Sequence, residues 1–215
     1  YNLSSNEVSK LIERICSYIL GKMKRKMPEI DDEQAEIITY GLQMIIGEIP
    51  KLFLIFAVGF LFGVGWYMIF AYFAMLPYRA MSGGFHLKTH LGCLIGTVLF
   101  YYGNIIISSL LYLDNLQKYI LIGLTLIFGV LMVSMYAPAD TENVPILSKR
   151  ERKKKKILSY CALIITLAVS AIVPDRMLSN ILIIGTIIQS ISITKLAYKI
   201  TKNKYTNLYF SDDQG

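Results

Sequence analysis

The stretch Leu91 to Leu113, LGCLIGTVLFYYGNIIISSLLYL, runs for 23 residues without a charge. A hydrocarbon core about 30 Å thick is crossed by a helix of about 20 apolar residues, so this segment is long enough to span one. Three more uncharged runs follow: Tyr119 to Ala139, Ile157 to Pro174 and Met177 to Thr194. In lipid every backbone N–H and C=O must be satisfied within the protein, which leaves helices or a closed barrel. These runs have helix lengths and lack the alternation of barrel strands. The expected fold class is all-α, a polytopic membrane protein.

The rest of the chain agrees. An apolar content of 54% and a mean hydropathy of +0.50 exceed what a soluble domain of 215 residues needs to fill a core. The net charge of +7 does not indicate nucleic acid, because its placement alternates. Basic residues collect at Lys10 to Lys26, at Arg79 and Lys88, at Lys149 to Lys156 and at Lys195 to Lys204, while Gly63 to Gly65, Asp114 to Lys118 and Pro174 to Arg176 are almost uncharged. That is the positive-inside pattern, and it predicts both termini in the cytoplasm. The run Lys149 to Lys156 reads as a topological anchor touching anionic lipid, or as a dock for an acidic peptide. Cys16, Cys93 and Cys161 make no disulfide framework and are expected to be reduced. No cleavable signal is expected, since the first 50 residues are polar and amphipathic.

Residues 6 to 26 place Val8, Leu11, Ile12, Ile15 and Ile19 at helical spacing, which predicts an interfacial helix on the inner leaflet. Pro28 ends it, and Glu29, Asp31, Asp32 and Glu33 favour the start of another helix. The uncharged run Leu52 to Tyr78 is long for one span and short for two, and the charge rule prefers two. The first crossing is expected from about Ile37 to Phe62 and would hold Glu48 and Lys51, which can neutralise each other on one face. The turn would use Gly59, Gly63 and Gly65. The remainder, Trp66 to Tyr78, is only about 20 Å as a helix, so the loop from Pro77 to Leu91 is expected to be partly re-entrant. Four further helices give about six transmembrane helices. The expected organisation is a cytoplasmic amphipathic region over 1–34, an integral membrane catalytic domain over 35–198 and a cytoplasmic tail over 199–215.

The chemistry concentrates in the loop before the third span, RAMSGGFHLKTHLGC from Arg79 to Cys93. A nucleophilic thiol needs a base within about 2.6 to 3.2 Å. On one straight helix His86 and Cys93 would lie about 10 Å apart along the axis, so a break is required between them. Gly83 and Gly84 allow a tight bend, and Thr89 is a fair N-cap that would put Cys93 in the first turn of the next helix, where the dipole favours its thiolate. Other readings stay open here. Cys93 could be a small apolar residue at a helix start with His86 a loop histidine, or His86, His90 and Cys93 could be three soft metal ligands. Arg79 reads most simply as a topology anchor. Asp140 and Glu142 read as loop-solvating residues or as partners for His86. The tyrosines, Tyr101, Tyr102, Tyr112, Tyr136 and Tyr209 among them, read mostly as an interface belt.

Taken together, Arg79, Gly84, His86 and Cys93, with Arg79, His86 and Cys93 at intervals of seven before the third span of a basic six-span chain, resemble the AgrB family of membrane cysteine endopeptidases in Gram-positive quorum sensing. Tyr136 to Pro145 is similar to that family's second cytoplasmic loop, and Tyr40-Gly41-Leu42 to its first helix start. Leu87 and Val144 depart from the pattern at positions that bear on the peptide rather than the class. The resemblance implies processing of a short AgrD-like propeptide. The Cys93 thiolate would attack the carbonyl at the carboxyl side of the future ring, with His86 as base and then acid. A cysteine or serine of the peptide would resolve the acyl-enzyme to a thiolactone or lactone. It also raises Arg79 as a group holding the site or the peptide's carboxylates, with Gly84, Glu48, Lys51, Asp140 and Glu142 as supporting candidates. No cofactor and no metal are expected. The expected partners are the propeptide, membrane lipids and a second copy in a homodimer, with no nucleic acid, and the expected location is the cell membrane with the catalytic loop cytoplasmic. A membrane peptide exporter or a non-enzymatic scaffold is the rival class. An exporter should show repeated halves or matching intramembrane charges, which the chain lacks apart from Glu48 and Lys51.

Overall fold

The computed structural model describes residues 3–27, 29–85, 90–139 and 148–201. These form helices α1 (Leu3–Lys26), α2 (Asp32–Leu61), α3 (Gly65–Ser82), α4 (His90–Leu110), α5 (Asn115–Tyr136), α6 (Lys149–Ile172), α7 (Arg176–Ser192) and α8 (Lys195–Ile200). No strand occurs among the described residues, so the class is all-α as expected. Six helices of 17 to 30 residues, α2 to α7, stand where six crossings were expected. Among them α4, α5 and α6 are long and apolar enough to cross a membrane, and α7 is a shorter apolar helix.

The chain divides into two compact units, Tyr1–Phe62 and Gly63–Gly215. In the first, α1 packs on α2. Gly47 leaves room for Ile12, whose Cδ1 would stand 3.8 Å from a Cβ there, so the apolar stripe of α1 has a protein partner at that point. The acidic start of α2 resolves to one residue: the Asp31 carboxylate accepts the Gln34 N–H at 2.7 Å, an N-cap that closes one orphan donor of the first turn. Gly59 stays inside α2, and the turn before α3 falls at Phe62 to Val64, with Gly63 at φ 71°.

The second unit is organised around α7, which packs against α3, α4, α5 and α6 and is buried over most of its length. Small residues bring the backbones together. A Cβ at Gly185 would press on the Met75 sulfur and the Asn104 amide, and one at Gly129 on the Leu163 methyls. Buried amides and hydroxyls then join helix to helix. Asn104 Nδ2 donates to Ile181 O at 3.1 Å, Asn180 Nδ2 to Ser108 O and Leu111 O, and Ser179 Oγ to Ser170 O. Such bonds contribute about 0.6 kcal/mol each on average in lipid, so their number matters more than any one of them.

Three expectations are corrected. Helix α3 does not stop at Tyr78; it continues through Pro77 to Ser82, 18 residues or about 27 Å, so Arg79 is helical rather than part of a re-entrant loop. The bonds that Tyr78, Arg79 and Ser82 make in this last turn hold it beyond the proline. Tyr101 is not a belt residue, being buried against Tyr72 and Phe100. The connections taken as almost uncharged do hold cations, but these are spent on helix ends. Arg176 Nη1 donates to Leu111 O at 2.9 Å just past α4 and lies 3.8 Å from the Tyr112 ring, and Lys118 Nζ donates to Val173 O at 3.1 Å just past α6. A cation at a carboxyl end meets the negative pole of the helix.

Candidate functional site

The site is built where α3 ends. Gly83 adopts φ 75°, ψ −153°, and its N–H closes on Arg79 O at 3.0 Å. A side chain is excluded there twice, by the positive φ and because a Cβ would collide with the Ala139 carbonyl. The chain next pairs with the segment after α5: Gly84 N–H donates to Ala139 O at 3.1 Å, and Ala139 N–H to Ser82 O at 2.8 Å. Gly84, at φ 147°, lies over Ser192 with little room for a methyl, since a Cβ would be 3.1 Å from Ser192 Oγ. The Tyr198 hydroxyl of α8 donates to the same Ala139 carbonyl at 3.0 Å.

Helix α7 supports this turn from beneath. Gln189 Nε2 donates to Gly83 O at 2.8 Å and to Ser82 Oγ at 2.9 Å, while its Oε1 accepts from Arg79 Nη1 at 3.3 Å. Tyr78 and Ser190 share a buried hydrogen bond of 2.9 Å one residue along on both helices. Arg79 is half-buried, with its guanidinium 5.4 Å from the Phe100 ring centroid on α4. It therefore engages protein on the inward side of α3, where the sequence suggested a simple topology anchor.

Cys93 lies in the first turn of α4 and is half-buried. Thr97, Phe100 and Asn104 follow at positions four, seven and eleven, the spacing of one helix face. Phe100 and Asn104 are buried, so the thiol stands on the face that α4 turns toward its neighbours, about 10 Å along the axis from Phe100. A thiol so placed stands at the amino-terminal, positive end of the helix. The break lies between Ser82 and His90.

Arg79, Gly84 and Cys93 thus belong to one unit, at the end of α3, the following turn and the start of α4. Lys51 lies on α2 in the first unit. His86, Asp140 and Glu142, and the side chains of Glu48 and His90, lie outside the described residues. So does the three-ligand metal alternative, which rests on the two histidines. Cys16 is buried in the first unit and Cys161 is exposed on α6. Sequence reasoning passed over Gln189, Ser190, Ser82 and Tyr78. The available signal was Gln189 itself, an amide followed by two serines in the otherwise apolar stretch ILIIGTIIQSIS, where polar side chains are rare unless they bridge helices.

Residues 16–193 match the family described as accessory gene regulator B, AgrB, and so include all of these positions. The chain belongs to the AgrB family. AgrB-like proteins of Listeria innocua serovar 6a (27% identical over 92% of this chain and 93% of the relative), Clostridium acetobutylicum (24% over 94% of each) and Halalkalibacterium halodurans (25% over 89% and 91%) align along nearly their whole lengths. No solved structure matches. AgrB membership, with helices long and apolar enough to span, makes this a membrane protein of the agr quorum-sensing system, in which the family acts with an AgrD propeptide.

Proposed function

We propose that this AgrB protein is a membrane cysteine endopeptidase that cleaves an AgrD-like propeptide and closes its macrocycle through an acyl-enzyme at Cys93. The observation that carries this reading is the position of Cys93, half-buried in the first turn of α4, the helix that follows α3 and its glycine turn in the chain. His86 is the base. It takes the Cys93 proton, and the thiolate adds to the peptide carbonyl at the carboxyl side of the future ring. As the tetrahedral adduct collapses the C–N bond breaks, and the imidazolium returns the proton to the leaving amine, which departs with the acidic tail. The thioester is then attacked by a cysteine thiol or serine hydroxyl of the same peptide, whose proton passes through His86 to the released Cys93 sulfur. The product is a thiolactone or lactone.

Water competes with that second attack, so partial burial of the nucleophile favours cyclisation over hydrolysis. Arg79 holds the site or a peptide carboxylate, a role suited to its fixed guanidinium. Gly84 supports the site through the turn it forms with Gly83. Lys51 with Glu48, and Asp140 with Glu142, support the site or its substrate. The segments at 79–90 and 137–156 and both termini face the cytoplasm, where the ribosome delivers the propeptide.

Co-expression with a tagged propeptide tests the reading. Cys93→Ala and Cys93→Ser should leave insertion intact and abolish the gel shift of the cleaved tail. Full processing by Cys93→Ala would overturn it.

A further inference from the structure

Gln189 is fully buried, and both ends of its amide are engaged at the end of α3. We propose that Gln189 is a positioning residue of the Cys93 site, fixing the Gly83–Gly84 turn from which the chain runs to His86 and holding Arg79 on the inward side of α3. The proposal rests on the peptidase reading for its catalytic consequence, though not for its geometry.

The donor and acceptor inventory explains why an amide stands here. Gly83 O can only accept, and Ser82 Oγ already spends its proton on Tyr78 O at 2.7 Å, so it too accepts from Gln189. Arg79 can only donate. The position therefore needs a donor at one end and an acceptor at the other, about a side-chain amide apart. Glutamine supplies both, glutamate has two acceptors, and methionine fills the space with neither. The reversed amide would set donors against donors, so the network itself fixes which way the group points.

Ordinary interhelical glue does not account for this placement. Asn104 bonds the backbone of another helix, at Ile181 O, whereas Gln189 reaches Gly83 O, outside any helix and on a residue at positive φ. The next residue, Gly84, lies against the same support, since a Cβ there would come 3.7 Å from Gln189 Nε2 and 3.1 Å from Ser192 Oγ. The turn is thus tied to Ala139 through its backbone and to α7 through one amide.

The test uses full-length protein in membranes and three variants. Gln189→Met removes all three bonds, Gln189→Glu keeps the volume and the acceptor for Arg79 but loses the donor, and Asn104→Leu removes an interhelical bond of the ordinary kind. Cleavage kinetics with the cognate propeptide are read beside amide hydrogen exchange at Gly84 and Ala139, whose N–H groups make the turn's backbone pairing. A lost bond of about 1 to 1.5 kcal/mol corresponds to about a tenfold change. Both Gln189 variants are expected to lower kcat about tenfold with KM within about threefold, and to speed exchange at Gly84 and Ala139 by a similar factor. Asn104→Leu should lower thermal stability while leaving kcat and those two amides unchanged. Unchanged exchange and kcat in Gln189→Glu would overturn the proposal, as would an equal effect from Asn104→Leu. If Gln189→Met fails to insert, Gln189→Glu decides. Exchange that rises in the variants of a protein that cleaves no propeptide would leave the positioning role standing and remove the peptidase reading.

Discussion

Gly84 donates its backbone N–H to the carbonyl of Ala139 at 3.1 Å, tying the chain that leaves α3 to the chain that leaves α5. This pairing needs the residue before it, Gly83, in a left-handed conformation with nothing where a Cβ would be. Strained backbone of this kind costs about 1 to 3 kcal/mol for other residues, and here the obstruction is backbone rather than a movable side chain. Gly83→Ala is expected to lower propeptide cleavage about a hundredfold in protein that still inserts. At Gly84 the nearest atom is the end of the Ser192 side chain, so Gly84→Ala should lose less. Single-turnover cleavage in membranes checks the order.

A dyad needs one base, whereas a metal site built on Cys93 would need both histidines. His86→Ala should remove activity and His90→Ala should keep most of it. Equal loss in both, with inhibition by chelators, would favour zinc. Cleavage assays on the two variants, with and without chelator, distinguish the outcomes.

A topology is predicted from where the basic clusters lie. With Arg176 and Lys118 bonded to carbonyls just past the ends of α4 and α6, the clusters at Lys10 to Lys26 and Lys149 to Lys156 are expected to dominate orientation. A single cysteine at Asn115 should react with an impermeant maleimide in intact cells, and one at Ser148 only after lysis. Reaction of Ser148 from outside would reverse the assignment.

The run Lys149 to Lys156 is not uniform. Lys156 Nζ donates to Ser134 O at 2.7 Å, near the carboxyl end of α5, while Arg150, Lys153 and Lys154 line a surface groove with Ile157 and Leu158. Exposed charges act over a screening length of about 8 to 10 Å, so Lys153→Gln with Lys154→Gln should weaken peptide capture modestly, and more at low salt. Turnover at saturating peptide should stay within about twofold. A hundredfold loss would mean that these lysines belong to the active site.

The centre of the second unit has no slack. Adding a methyl at Gly185 drives it into Met75 and Asn104, overpacking that typically costs about 1 to 3 kcal/mol. Gly185→Ala should lower the thermal inactivation temperature in detergent, and Gly185→Val should prevent accumulation of folded protein.

Helices α4 to α7 were legible because an uncharged run of 17 or more residues has few other fates, and the acidic stretch holding Asp31 marked the start of α2; the caps Asp114 and Asp175 appear only in the structure. Cys93 falls in the first turn of α4 as expected, while Thr89, the expected N-cap, lies outside the described residues. The end of α3 was misread because Pro77 is a local signal for a break, while the bonds that override it come from Ser190 and Gln189, more than a hundred residues away in sequence. For Arg79 the sequence left two readings, a topology anchor and a group holding the site or a peptide carboxylate. Charge patterning says on which side of a membrane a residue falls, but not which neighbour its side chain meets.

Tyr198 gives the molecule an order of assembly in time. Its hydroxyl and the Gln189 amide leave the ribosome about a hundred residues after the Cys93 thiol, yet they hold the Ala139 carbonyl and the Gly83 turn paired with it. At roughly 5 to 20 residues per second, a nascent chain carries Cys93 for about 5 to 20 s before its support exists. Chains truncated before α7 should therefore insert their earlier helices and bear a sulfur that does no work, so that synthesis itself acts as a delay on the nucleophile.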